Sequence, residues 1–279
     1  IALTPMVASA IGYGTTSIIY GLLGGAVILY MALTSREVPV RQEEEKPALW
    51  HSIKSLLINR KFWIAGLANA FYSAAMALVM AAVPFFVKYA LELPEGQATF
   101  LLAPVLIVAV GCVFIWAALV RKFSVIPVWR AALGMLGAAF VALYFARSFA
   151  AALLCSILVG FGFSGVIATM DLIGAKIMDE DKEKYQLRRE GIIASALGFM
   201  NRLNGLFVSL AFLLVSVLYG FESGEMPGSQ PDSAARFLIT LFPMALMALS
   251  LAFSFFIDFR KEQADRQASP AAAAGGGNS

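Results

Sequence analysis

The chain has 279 residues, of which 60% are hydrophobic and only 14% charged, with a mean hydropathy of +0.79 and a net charge of +3. A soluble domain carries about 25% charged residues, so the composition excludes a water-soluble globular protein and indicates an integral membrane protein. The basic residues sit between apolar runs rather than on one face, which excludes a nucleic-acid partner.

His51 is the only histidine, so a histidine-based metal cluster is excluded. Cys112 and Cys155 lie inside separate apolar runs and read as small packing residues, not as a disulfide or metal pair. No Gly-rich phosphate loop and no nucleophile elbow is present. The expectation is a protein that is not an enzyme and holds no metal or other resident cofactor.

Seven apolar runs are long enough to cross a ~30 Å hydrocarbon core as helices. The first covers about residues 11–33 and carries Gly12, Gly14, Gly21, Gly24 and Gly25, a small side suited to close helix packing. A polar loop over residues 34–62 follows. In its second half Leu49, Trp50, Ile53, Leu56 and Leu57 recur at helical spacing, with Lys54, Arg60 and Lys61 opposite them, which predicts an interfacial amphipathic helix. The second span is about residues 63–89, where Asn69, Tyr72, Ser73 and Met76 share one face and Pro84 predicts a bend. The third covers about residues 100–120 and the fourth about 126–146, with Arg130 one turn inside and expected to snorkel to the interface. The fifth covers about residues 149–177. It contains Gly160, Gly162, Ser164, Gly165 and Thr169, then Asp171 and Lys176. The sixth is about residues 190–220 and the seventh about 236–258, followed by an Ala/Gly-rich tail expected to be disordered.

Between the fifth and sixth spans lies the most densely charged run of the chain, residues 179–191, read as a loop. Asp179, Asp181, Arg188, Arg189 and Glu190 are candidates for a gate of ion pairs at that end. Within the sixth span, Ser195, Gly198, Arg202, Gly205 and Ser209 recur at alternating spacings of three and four. They form one small, polar stripe in an otherwise apolar helix. Arg202 lies ~18 Å along the helix from Glu190, near the middle of the core. A charge at that depth is a functional-site hypothesis by default. Asp171 in the preceding span, or an anionic substrate group, is its candidate partner. Asn201, Asn204, Ser195, Asn69 and Tyr72 complete the candidate substrate or coupling site.

Of the 21 Lys and Arg, Arg202 lies in a span, and only Lys88, Arg147 and Arg236 fall in one set of loops. The rest fall on the other side, which the positive-inside rule makes cytoplasmic, with the C-terminal tail. The first span then starts outside. An odd number of spans with an outward start predicts missing upstream sequence: residues 1–33 as the last helix of a first half, 34–62 as a central cytoplasmic loop, 63–258 as a six-helix bundle and 259–279 as a cytoplasmic tail. Two six-helix halves around a midplane site are the plan of major facilitator transporters.

The acidic cluster Asp179-Glu180-Asp181, followed by Arg188-Arg189-Glu190-Gly191, resembles the loop motif of the glycoside–pentoside–hexuronide:cation symporters of the major facilitator superfamily. Phe199 and a cation at Arg202, the stretch Asn59-Arg60-Lys61-Phe62, and Lys88-Tyr89 resemble further family features. Arg202 stands where the family has Lys, Ala175-Lys176 where it has Ala-Asp, and Leu197-Gly198 where it has sugar-contacting polar groups. The resemblance implies an all-α integral membrane protein equivalent to the last seven of twelve helices. It implies symport of a small solute, a sugar or glycoside, with Na+ or H+, the ion site lying mainly in the other half. The expected partners are that half, the substrate and the bilayer of the plasma (inner) membrane. The apolar flanks of the stripe leave an amphiphile or lipid carrier as the alternative. A seven-helix receptor shares the span count, although no Lys in the last span suits a retinal Schiff base.

Overall fold

The structure, a computed structural model, describes residues 11–34, 56, 58–185, 190–222, 226 and 228–257. These contain helices and no strand, and seven of the helical stretches are long and apolar enough to cross a membrane. The expected amphipathic helix before residue 56, Arg188, Arg189 and the tail beyond Ile257 lie outside the described residues.

Helix α1 (Tyr13–Thr34) is solvent- or lipid-exposed along almost its whole length. Among its described side chains only Thr16 is buried, its hydroxyl donating back to the Gly12 carbonyl at 2.8 Å. The expected close packing on its glycines is not made among the described residues: a side chain at Gly14, Gly21, Gly24 or Gly25 would meet nothing within 4 Å.

Helix α2 (Arg60–Phe85) begins where the Asn59 side chain accepts the backbone N–H groups of Lys61 and Phe62, at 3.1 and 3.3 Å. Those donors would otherwise be orphaned at a helix start. Pro84 lacks an N–H and cannot complete the regular ladder. Immediately after it the helix widens to a π turn, Phe86–Ala90, rather than ending. Helices α3 (Ala98–Phe123) and α4 (Val125–Tyr144) are separated by Ser124 alone.

Helix α5 (Phe149–Tyr185) corrects the sequence reading. The first half of the charged run is not loop but a continuation of the fifth span. Nothing between Gly174 and Tyr185 breaks a helix, and Lys and Glu are good helix formers. The sixth span is split into α6 (Glu190–Arg202) and α7 (Asn204–Tyr219) around Leu203. The seventh starts earlier than expected, at α8 (Pro231–Arg236), passes through a π turn (Phe237–Leu241) and ends in α9 (Phe242–Ser254).

In a membrane, helices associate through close packing and hydrogen bonds rather than hydrophobic burial. Here α5 is held between α3 and α4 by glycines on both sides. A Cβ on Gly160 would lie 2.6 Å from the Val105 carbonyl oxygen, and one on Gly162 would lie 2.8 Å from Leu136 Cα. Trp129, Phe140 and Leu136 of α4, Phe86 and Ile173 are fully buried, whereas Ile107, Val110 and Phe114 point outward from α3. Ser250 of α9 donates to the Ala68 carbonyl of α2 at 2.7 Å. A small cavity of about 20 Å³ between Val83, Phe86, Val105, Leu143 and Ile239 is apolar, and its lining includes none of the candidate site residues.

Two arginines tie helix ends together. Arg130 donates to the Ser254 carbonyl at 3.1–3.3 Å and to that of Ile257 at 3.0 Å, capping the end of α9. Arg236, expected in a loop, is buried, donating to the carbonyls of Tyr144 and Ala146 at 3.0 Å and to the Asp232 carboxylate at 2.7 Å.

Candidate functional site

The depth of each site residue can be measured from one ion pair. Lys61 Nζ lies 2.6 Å from both carboxylate oxygens of Glu180, joining the start of α2 to the far end of α5. At 1.5 Å per residue, Asn69 lies ~12 Å deeper on α2, Tyr72 ~17 Å and Ser73 ~18 Å, while Asp171 lies ~14 Å deeper on α5. Tyr72 is buried, with its ring 6.2 Å from that of Phe163, and the Asp171 carboxylate is close enough to act on it electrostatically.

The sixth span is placed against α2 by two polar contacts. Asn204 Nδ2 donates to Ser73 Oγ at 3.1 Å, and Asn69 Nδ2 to Asn201 Oδ1 at 3.5 Å, the outer limit of a hydrogen bond. Arg202 therefore shares the depth of Tyr72 and Asp171, ~12–18 Å from the Lys61–Glu180 pair. That is close to the midplane of a ~30 Å core.

Ser195, Gly198, Arg202, Gly205 and Ser209 are all exposed, so the stripe read from the sequence faces away from the bundle. Asp171 is exposed too. No ion pair joins Asp171 to Arg202 among the described residues. Two opposite charges thus stand at one level, on neighbouring helices, without neutralising each other. Bare charges at mid-core depth are costly against lipid but suited to a water-filled cavity or a polar ligand.

A family model described as MFS/sugar transport protein matches residues 3–261. The chain belongs to the MFS/sugar transport protein family. It is accordingly a multi-pass membrane transporter, with seven membrane-spanning helices in the described residues. No curated protein matches the sequence.

In this transporter the candidate gate residues divide. Asp179 is exposed at the end of α5, Asp181 is buried, and the Glu190 backbone opens α6. Lys61–Glu180 is an ion pair at this end that the gate candidates do not include. Its signal was available: Lys61 begins a span, and Glu180 lies within the acidic cluster. Ser73 was recognised only as one member of a face. Nothing in a single sequence could have matched it with Asn204.

Proposed function

We propose that this transporter is a secondary symporter that moves a small solute together with Na+ or H+ by alternating access, with Arg202 and Asp171 at the heart of its site. The observation that carries this reading is the pair of unneutralised, exposed charges at one depth, Arg202 on the polar stripe of the sixth span and Asp171 on α5. An Arg at the centre of a membrane helix costs ~2.5–3.5 kcal/mol on insertion scales, so it is retained for a partner. A second helical bundle facing the stripe would enclose it as a cavity. We assign that role to a first half of the transporter, with residues 34–62 as the connecting cytoplasmic loop, and we place the protein in the plasma (inner) membrane. Arg202 would hold an anionic or hydroxyl-bearing group through its planar fork. Asp171, beside Tyr72, would contribute to ion coupling. No bond is made or broken in such a cycle, so no catalytic residue is required.

One feature favours an amphiphilic substrate as the second reading. Phe199 and Leu206 flank Arg202 on the same helical row and are 72% and 68% exposed. A cation between two apolar groups suits a ligand with a charged head and an apolar body.

The test is uptake in cells making the whole transporter, at equal surface expression, with a panel of glycosides and a lysophospholipid as probes. Arg202→Leu should abolish uptake and Arg202→Lys should retain part of it, while Asp171→Asn should weaken ion dependence. Normal uptake by Arg202→Leu would remove the site assignment. The probe that is taken up decides between sugar and amphiphile.

A further inference from the structure

The break in the sixth span has a specific setting. Around Leu203 the backbone bonds tighten to three-residue steps, with the Leu203 N–H on the Met200 carbonyl at 3.1 Å and the Leu206 N–H on the Leu203 carbonyl at 3.0 Å. Such a tight turn inside a helix often marks a hinge. No proline lies between Glu190 and Tyr219, although Gly205 follows the break by two residues. The break is bracketed by Asn201 and Asn204, and each meets α2. Asn69 and Ser73 are four residues apart, so they stand one above the other on α2. Asn201 and Asn204 are three apart and turn the same way. Arg202 is ~100° round the helix from Asn201, at 3.6 residues per turn, and is exposed. Two contacts, one on each side of the break, set both the depth and the rotation of the segment that carries the charge.

We propose that Ser73 and Asn69 are positioning residues: they clamp the broken sixth span to α2 through Asn204 and Asn201, and so aim Arg202 at the open face. This rests on the reading of Arg202 as a site residue. The chemistry suits the task. Amide and hydroxyl groups are directional but uncharged, so they pin one helix to another at mid-depth without the cost of a further ion. With these contacts made, the Asn204 amide is engaged by α2 rather than turned to substrate. Without them, the segment is free to roll at Leu203 and carry Arg202 off its line.

The experiment reads position 202 directly. In a chain carrying Cys112→Ala, Cys155→Ala and Arg202→Cys, the rate of modification by a charged methanethiosulfonate reagent measures how far that position opens to water. Adding Ser73→Ala should change the rate ~3-fold, the scale of one interhelical hydrogen bond. Ser73→Thr keeps the hydroxyl and should restore it. The rate measured with Ser229→Cys in place of Arg202→Cys, at a loop remote from the break, should not move. An unchanged rate at position 202, or an equal change at both positions, overturns the clamp. If Ser73→Ala does not accumulate in the membrane, Asn204→Leu removes the donor from the other side and gives the same comparison. Labelling involves no transport. A rate shift at position 202 alongside normal uptake by Arg202→Leu would therefore leave the clamp standing and overturn the functional reading alone.

Discussion

Arg130 and Arg236 cap each other's helices. Arg130, in the second turn of α4, donates to the carbonyl of Ser254 at the end of α9 and to that of Ile257 just beyond it, while Arg236, near the start of the seventh span, donates to the carbonyl of Tyr144 at the end of α4 and to that of Ala146 just beyond it. The final carbonyls of a helix have no intrahelical partner and carry the negative end of its dipole, so a guanidinium satisfies both needs at once. Each charge also rests on an aromatic face, Arg130 over Phe255 at 4.8 Å and Arg236 over Phe86 at 5.7 Å. The pair α4 and α8–α9 is thereby stapled at both ends.

Arg236 is the more buried of the two, and its removal should be felt. Arg236→Met strips the Tyr144 and Ala146 carbonyls of their charged donor and should destabilise the bundle by about 1.5–3 kcal/mol. Arg236→Lys should recover only part of this, because an ammonium cannot reproduce the fork that reaches two carbonyls and Asp232 together. Asp232→Asn should cost at most about 1 kcal/mol, since that carboxylate is half exposed. Thermal unfolding in detergent, followed by tryptophan fluorescence, is the measurement. A midpoint for Arg236→Met equal to that of the parent protein would show the staple to be idle.

A similar contrast applies to the glycines. Gly162→Ala puts a methyl group 2.8 Å from the Leu136 backbone and must push α4 and α5 apart, at a cost of about 1–3 kcal/mol. Gly111→Ala meets nothing within 4 Å and should stabilise the helix by about 0.4–1 kcal/mol. Equal unfolding midpoints for the two variants would contradict the packing described for α5.

The alternating helix ends give a topology that labelling can check. The staple of Arg236 marks one end of the bundle, and the Lys61–Glu180 pair together with the Arg130 cap mark the other. With the basic loops placed in the cytoplasm, a thiol introduced by Ser229→Cys should react with an impermeant reagent in intact cells, and one introduced by Lys122→Cys only after permeabilisation. Both belong in a background free of Cys112 and Cys155. Ser229 is the position to use because Gly228 cannot carry a side chain: its φ is +82° and a Cβ would collide with the Tyr219 carbonyl oxygen. The reverse labelling pattern would invert the protein.

The seven spans were legible because each is an apolar run of the length that a bilayer demands, and the exposed stripe was legible because helical periodicity fixes which residues share a face. Contacts between spans were not. Arg236 sits where an apolar run begins, and such an arginine reads as loop; only Asp232, four residues earlier, hints that the helix has already started. The partners of Arg130 are hidden too, because nothing in α4 shows that the end of α9 lies beside it. The break at Leu203 is invisible for a similar reason: it contains no proline, and the contacts that flank it are to residues more than 100 positions away. The extension of α5 is hidden by its charge, since dense charge reads as loop even where helix propensity is intact.

That extension makes α5 a pointer. Its 37 residues reach ~55 Å, far beyond a ~30 Å core, so one unbroken rod carries Asp171 at depth and the exposed Asp179 at the edge of the core. Any tilt that accompanies ligand capture is carried along the rod to an end that can be reached without disturbing the ligand face. A spectroscopic label on the exposed Asp179 would therefore follow events at the bilayer centre from outside it, as the tip of an oar shows the angle of its handle.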